Sequence, residues 1–330
     1  MTAKRMGIAI AAALLSLSIV CPGVEDGGSN GMYHDYAETE AFLRDLADRF
    51  PQRAEMTSIG RSHEGREIFV LKIGGSVPAL EAEPNFFLVG CHHAREWISV
   101  EVCLLTAQYL LEHYADDPAA KRVVDGAQIY VLPLINPDGL EFSNRTYRWW
   151  RKNRRYNGDF SWGVDLNRNY AHQWGCDDSG SSPDPNHEAY RGSAPFSEPE
   201  TEALGRFMSL HPPSGALFYH NYSQKIIYPW GYTSDPAPDQ PLFATMAAEM
   251  SRRIEAVSGR MYQYGAQVLY PVNGDACDWV YATFGAPAFT IELPYEFYLE
   301  GGFFTAENEI ARTFADNLPA ILYFFNYLLP

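Results

Sequence analysis

Asn85-Phe86-Phe87-Leu88-Val89-Gly90-Cys91-His92-His93-Ala94-Arg95-Glu96 is an apolar run that ends in a cluster of chemistry-bearing side chains. Phe86–Cys91 is too short for a helix and reads as a buried strand. Ser99–Tyr114 follows with the length and spacing of a helix, and Gln128–Ile135 reads as a second buried strand. Working outward, Glu38–Phe50 carries Leu43, Leu46, Ala47 and Phe50 at helical spacing, and Ile68–Ile73 reads as a strand. On the C-terminal side, 136–197 is rich in Asn, Gly, Asp, Ser and Pro and reads as an unusually long loop region, of the kind that usually carries function. Ala216–His220 and Ala288–Leu293 are strand-like, while Pro241–Val257 and Thr305–Leu329 read as helices. Strands alternating with helices predict an α/β fold with helices on both faces of the sheet.

The chain has 330 residues, 25 Lys+Arg and 41 Asp+Glu, for a formal charge of −16. With 46% hydrophobic and 14% aromatic residues it is too apolar to be disordered. Its acidity argues against nucleic acid and against anionic lipid as partners. No apolar run reaches the roughly 20 residues that span a bilayer, so no stable membrane insertion is expected.

Lys4 and Arg5 precede the apolar run 7–20, which reads as a secretory signal peptide over 1–23. Residues 24–32 form a short connector and 33–330 one folded unit. Secretion to an extracellular or periplasmic space follows as an expectation. Lipid attachment at Cys21 is the alternative; against it, Ser18 and Val20 stand where lipoprotein signals place Leu and a small residue. Five cysteines without a Cys-x-x-Cys exclude a cysteine zinc knuckle and leave any disulfide pairing open. Asn144-Arg145-Thr146 and Asn221-Tyr222-Ser223 match a glycosylation pattern.

His93 and Glu96 lie three apart, where a helical turn brings side chains to one face. A catalytic zinc takes three protein ligands and keeps one position open, so this pair needs a distant third. His220 closes an apolar run and is the candidate, with His92, His172, His187 and His211 as competitors by composition. His113 and Asp116 have the same spacing but read as a solvated helix face. Glu292 is an acid inside the apolar run Ala288–Leu293, where a carboxylate must be paired or proton-active. Arg145, Arg148, Arg151, Arg154, Arg155 and Lys152 cluster in an otherwise acidic chain, with Arg168 nearby in sequence. Arginines so grouped suit an anionic ligand or transition state.

Taken in order, several segments resemble the zinc metallocarboxypeptidases of the carboxypeptidase A/B type. They are Ile59-Gly60-Arg61-Ser62-His63-Glu64-Gly65-Arg66, Gly90–Trp97, Asn136-Pro137-Asp138-Gly139, Arg148-Trp149-Trp150-Arg151-Lys152, Val164–Asn169, His220–Gln224, Leu269-Tyr270 and Phe289–Leu293. The resemblance covers about 33–330 and implies a mixed parallel and antiparallel eight-stranded sheet flanked by helices in a single catalytic domain. It implies one Zn²⁺ held by His93, Glu96 and His220, with Glu292 as general base and Arg151 stabilising the oxyanion. By the same resemblance Asn167, Arg168 and Tyr270 bind the substrate's terminal carboxylate, and Arg95 contacts the substrate further out. The implied reaction is hydrolysis of the C-terminal peptide bond of peptides and proteins, by a chain expected to be a monomer.

Cys277, the residue before Asp278-Trp279, is neutral and fairly apolar, so the resemblance implies a preference for hydrophobic or aromatic C-terminal residues. Asp275 resembles the arrangement in bacterial carboxypeptidase T, and a carboxylate pointing into the pocket would accept Lys or Arg as well. In contrast to secreted members of that family, the short stretch 24–32 is expected to leave no room for a folded pro-domain, and Cys176 stands alone in the loop region. Two alternatives stand beside this reading: the same zinc chemistry on cell-wall peptides or side-chain-linked glutamate, and a non-catalytic peptide-binding protein.

Overall fold

The computed structural model describes residues 33–74, 83–158, 160–294, 302–303 and 305–330. The expected signal peptide, the connector and Cys21 lie outside the described residues. In chain order the helices are α1 (Tyr36–Arg49), α2 (Ile98–Glu112), α3 (Pro118–Gly126), α4 (Pro137–Arg145), α5 (Pro199–Leu210), α6 (Gln240–Ser258), α7 (Ala276–Phe284) and α8 (Ile310–Leu328). The strands are β1 (Ala54–Arg61), β2 (Glu67–Ile73), β3 (Asn85–Val89), β4 (Gln128–Leu132), β5 (Tyr156–Gly158), β6 (Ser161–Trp162), β7 (Pro213–Asn221), β8 (Lys225–Ile227), β9 (Gln263–Gly265) and β10 (Ala288–Leu293).

Among the described residues the main sheet has eight strands in the order β1-β2-β4-β3-β7-β10-β8-β9. The inner strands β4, β3, β7 and β10 run parallel, while β1, β2 and β8 join antiparallel, so the sheet is mixed as expected. Side chains alternate across it. Phe86 and Leu88 of β3, with Leu217 and Tyr219 of β7, enter a core that includes residues of α2, α6 and α8. Phe87, Val89, Ala216 and Phe218 enter the opposite core, with residues of α5 and α7. The same alternation puts His220 and Glu292 on the face shared by Phe218 and Ala288. Parallel pairing of β7 with β10 sets Glu292 directly beside His220.

Phe289 packs edge-on against Phe243 and Phe324, at ring-centroid distances of 5.9 and 5.8 Å. Phe289 is fully buried, so Phe289→Ala is expected to cost about 3–5 kcal/mol. A urea denaturation series would check this, and a loss under about 1 kcal/mol would show that the site collapses to fill the gap.

The structure adds elements to the sequence reading. α4 occupies part of the stretch read as loop: the Asn136 side chain accepts from Gly139 N at 3.0 Å, and Pro137 sits in the first turn, where its missing N–H is harmless. α3, α5, α7, β1, β5, β6, β8 and β9 are further elements beyond those the sequence pattern predicts. The last helix starts at Ile310 rather than Thr305 and contains Pro319. The described cysteines, Cys91, Cys103, Cys176 and Cys277, are all free.

Candidate metal centre and active site

Gly90 makes the turn after β3, in a space where a Cβ would come within 2.7 Å of the Pro133 and Ser99 carbonyls. The chain then folds into a tight turn before α2, with Glu96 N donating to His93 O at 3.1 Å. This turn, rather than a helix, brings the His93 and Glu96 side chains together. His93 Nδ1 lies 2.8 Å from Glu96 Oε1, and His220 Nδ1 lies 2.9 Å from Glu96 Oε2 and 3.1 Å from His93 Nδ1. All three residues are buried. Two imidazole nitrogens facing each other and one carboxylate make a donor set suited to a divalent cation such as zinc. Burial opposes charge on Glu96, but the two imidazoles outweigh it and hold its carboxyl far below the usual range. Burial pushes the His220 pKa down, against the pull of Glu96, which favours the neutral imidazole that a metal needs.

Asp165, not singled out as a site residue from the sequence, organises the other side. Its Oδ1 lies 3.1 Å from His93 Nε2, and its Oδ2 accepts from Arg151 Nε at 3.0 Å. A carboxylate behind a ligating imidazole fixes the ring's tautomer and orientation. Although burial opposes its charge, Arg151, His93 and Arg168 keep Asp165 ionised. The available signal was an acid placed between the arginine cluster and Asn167-Arg168, but an Asp in a polar loop reads as a turn residue.

The remaining candidates surround this centre. Glu292 has its pKa raised well above the carboxylate range, first by burial and then by Glu96, with Arg151, Lys225 and Arg168 pulling the other way. Arg151 Nη1 is 4.0 Å from Glu96 Oε1. Asn167 Nδ2 is 3.5 Å from His220 Nε2, and its Oδ1 accepts from Ala276 N. Arg168 is buried, donates to the Asn167 carbonyl, and leaves its Nε without a partner. The Tyr270 ring centroid lies 6.0 Å from the Arg168 guanidinium, and Tyr270 is 53% exposed. Arg95 stacks over Phe303 and pairs with Glu188 further out.

Asp275 caps α7 through Oδ2, accepting from Asp278 N, while its Oδ1 is buried without a partner. Burial raises its pKa to about 6, with Arg168 opposing. Cys277 packs into the core beneath α7, and burial pushes its thiol up. His92 binds the Tyr170 hydroxyl through Nε2 rather than joining the ligands, and the exposed pair His113–Asp116 sits apart. Asn221 is 1% exposed, which rules out its glycosylation in the folded chain.

A second set of metal-capable donors, His63, Glu198 and Glu200, is already satisfied within the protein. Glu198 takes Arg155 Nη1 at 2.6 Å, His63 Nε2 at 2.8 Å and Asn153 Nδ2 at 2.8 Å. Burial raises the Glu198 pKa, but His63, Asn153, Ser197 and Arg155 outweigh this and hold it at about 2. Against an unfolded value near 4.3, this contributes about 3 kcal/mol of stability at neutral pH. The folded value is depressed, so the contribution is present above the unfolded pKa and is lost as pH falls toward 2. Urea midpoints should therefore drop through that window, and Glu198→Gln should be weaker at pH 7 with a flatter acid profile. Parallel profiles for both proteins would remove Glu198 as the cause.

The outer wall of the site is tied down by cations. Arg191 Nη1 donates to Asp177 O at 3.0 Å and pairs with Asp178 at 2.9 Å. Lys152 Nζ donates to the Pro185 and His187 carbonyls.

Residues 39–320 match the family model described as zinc carboxypeptidase. The chain belongs to the zinc carboxypeptidase family. A metallocarboxypeptidase A-like protein of Trichophyton verrucosum is 35% identical over 81% of this chain and 65% of its own length. Carboxypeptidase A1 of Rattus norvegicus is 33% identical over 81% of this chain and 64% of its own. The chain thus spans a little under two thirds of the length of these relatives. The crystal structure of thrombin-activatable fibrinolysis inhibitor superposes with a TM-score of 0.83 at 29% identity, covering 90% of this chain and 74% of that one. The family's zinc fits the convergent donors of His93, Glu96 and His220.

Proposed function

We propose that residues 33–330 form a secreted, zinc-dependent exopeptidase that hydrolyses the C-terminal peptide bond of peptides and proteins. One observation carries this reading: three buried donors from two distant segments converge beside Glu292, and Asn167, which reaches His220, is followed by a buried arginine, Arg168, whose Nε is left without a partner. His93, Glu96 and His220 would hold the ion. When bound, zinc lowers the pKa of a water molecule toward neutrality and polarises a carbonyl. Glu292 accepts the proton of the attacking water and delivers it to the leaving amine. Arg151, oriented by Asp165, stabilises the negative charge that develops on the scissile carbonyl oxygen.

Arg168 and Asn167, covered by Tyr270, receive the free carboxylate, and Arg95 contacts residues further along the substrate. An internal peptide bond offers no such carboxylate, so attack is confined to the chain end. Cys277 under the pocket favours aromatic and aliphatic C-terminal residues. Asp275, with one oxygen unpartnered, supports acceptance of Lys and Arg as well. The apolar run 7–20 behind Lys4 and Arg5 supports export. Among the described residues no helix is long and apolar enough to cross a membrane.

The test compares N-blocked dipeptides as free acids and as C-terminal amides. The free acid should be cleaved at least about 100-fold more efficiently, since a buried arginine left facing an amide forfeits a charge-assisted pair. Equal rates would defeat the exopeptidase reading. Varying the last residue from Phe to Leu to Arg in the same panel would separate the Cys277 and Asp275 contributions.

A further inference from the structure

Lys225 opens β8 and is paired with Glu292 of β10 on one side and Gln263 of β9 on the other. A cation at this register position is half-buried and needs a partner. Its Nζ donates to the Val268 carbonyl at 2.6 Å. Val268 begins the span that carries Tyr270. The far end of that span is held independently: Val272 N donates to Gly231 O at 3.0 Å, and Asn273 accepts from Ser181 Oγ at 2.5 Å. Gly274 follows in a left-handed conformation, φ +68°, where a Cβ would lie 2.6 Å from the Arg168 carbonyl. At the near end the fastenings are Lys225 on Val268 and Gln267 Nε2 on Gly231 O at 3.1 Å. Leu269, Tyr270 and Pro271 lie between these anchors, with the Tyr270 ring beside Arg168.

We propose that Lys225 is a positioning residue for substrate capture, acting through Tyr270: its ammonium fixes the near end of the 269–271 span, so that the ring is presented over the carboxylate-binding arginine. This rests on the exopeptidase reading above. A charged donor on a partly buried carbonyl makes a strong hydrogen bond. Without it the span must be ordered anew at each binding event, which weakens binding rather than the chemical step.

The experiment uses the zinc-loaded full chain and an N-blocked dipeptide ending in Phe. Lys225→Met keeps the aliphatic stem and removes the donor, and is expected to raise KM about tenfold with kcat changed less than about threefold. Lys225→Arg, which retains a charged donor, should recover most of the loss. In a Tyr270→Ala background the same Lys225→Met change should alter KM less than about twofold, because the element it positions is gone. Lys225→Gln, polar and too short to reach Val268, serves if the Met variant does not fold. A KM within about twofold of wild type, an equal KM loss in the Tyr270→Ala background, or a fall in kcat alone would each overturn the proposal. The last outcome would mean that Lys225 acts on Glu292 instead. A wild-type protein that cleaves free acid and amide alike would sink the exopeptidase reading itself, a separate result.

Discussion

Glu292→Gln is expected to lower kcat by about 1,000-fold while the protein still binds zinc at the wild-type level. Proton transfer by a positioned side chain contributes about 10²–10⁴ in rate, and the amide keeps the shape of the carboxylate without its basicity. Glu292 stands beside His220 across parallel strands, so a change confined to one oxygen should leave the three donors where they are. Burial and the Glu96 charge raise its pKa, and Arg151, Lys225 and Arg168 draw it back. A base works only when unprotonated, so wild-type kcat/KM should fall as pH drops through the Glu292 pKa. Steady-state kinetics with metal analysis on the same samples checks both halves. Full activity in the variant would assign the base to another residue.

His93→Ala is expected to lose zinc. The ion would lose one of its protein donors, and Asp165 would lose the imidazole that it orients 3.1 Å away. After dialysis the variant should retain less than about a tenth of the wild-type zinc, since site affinity depends on every deprotonated ligand being in place. Peptidase activity should fall with it. Atomic absorption on dialysed protein gives the answer, and undiminished zinc would strike His93 from the ligand set. The fold should survive, because His93 stands in a turn outside the sheet and the apolar cores on both faces are untouched.

Much of this was legible in the sequence where physics acts locally. The run Phe86–Val89 announces a strand because no solvated face interrupts it, and His93 draws notice by standing at its end. The ends of β7 and β10 gave His220 and Glu292 in the same way. Their meeting was not legible from spacing alone, because His93 and His220 are 127 positions apart and only the strand order brings them together. It took the resemblance to pair them. Asp165 escaped because its importance lies in what stands behind it, and α7 escaped because Asp275 read as a pocket residue rather than a helix cap. Lys225 carried no local signal at all: its carbonyl partner comes from 43 residues downstream.

The wall formed by 177–191 is held by guanidinium and ammonium groups, and the described thiols are unpaired. A reducing agent should therefore leave it in place, while salt should weaken only its exposed pair of Arg191 with Asp178. Added electrolyte weakens charge pairs near a surface over distances of roughly 10 Å or less. A chain built this way keeps this segment in place in a thiol-rich medium.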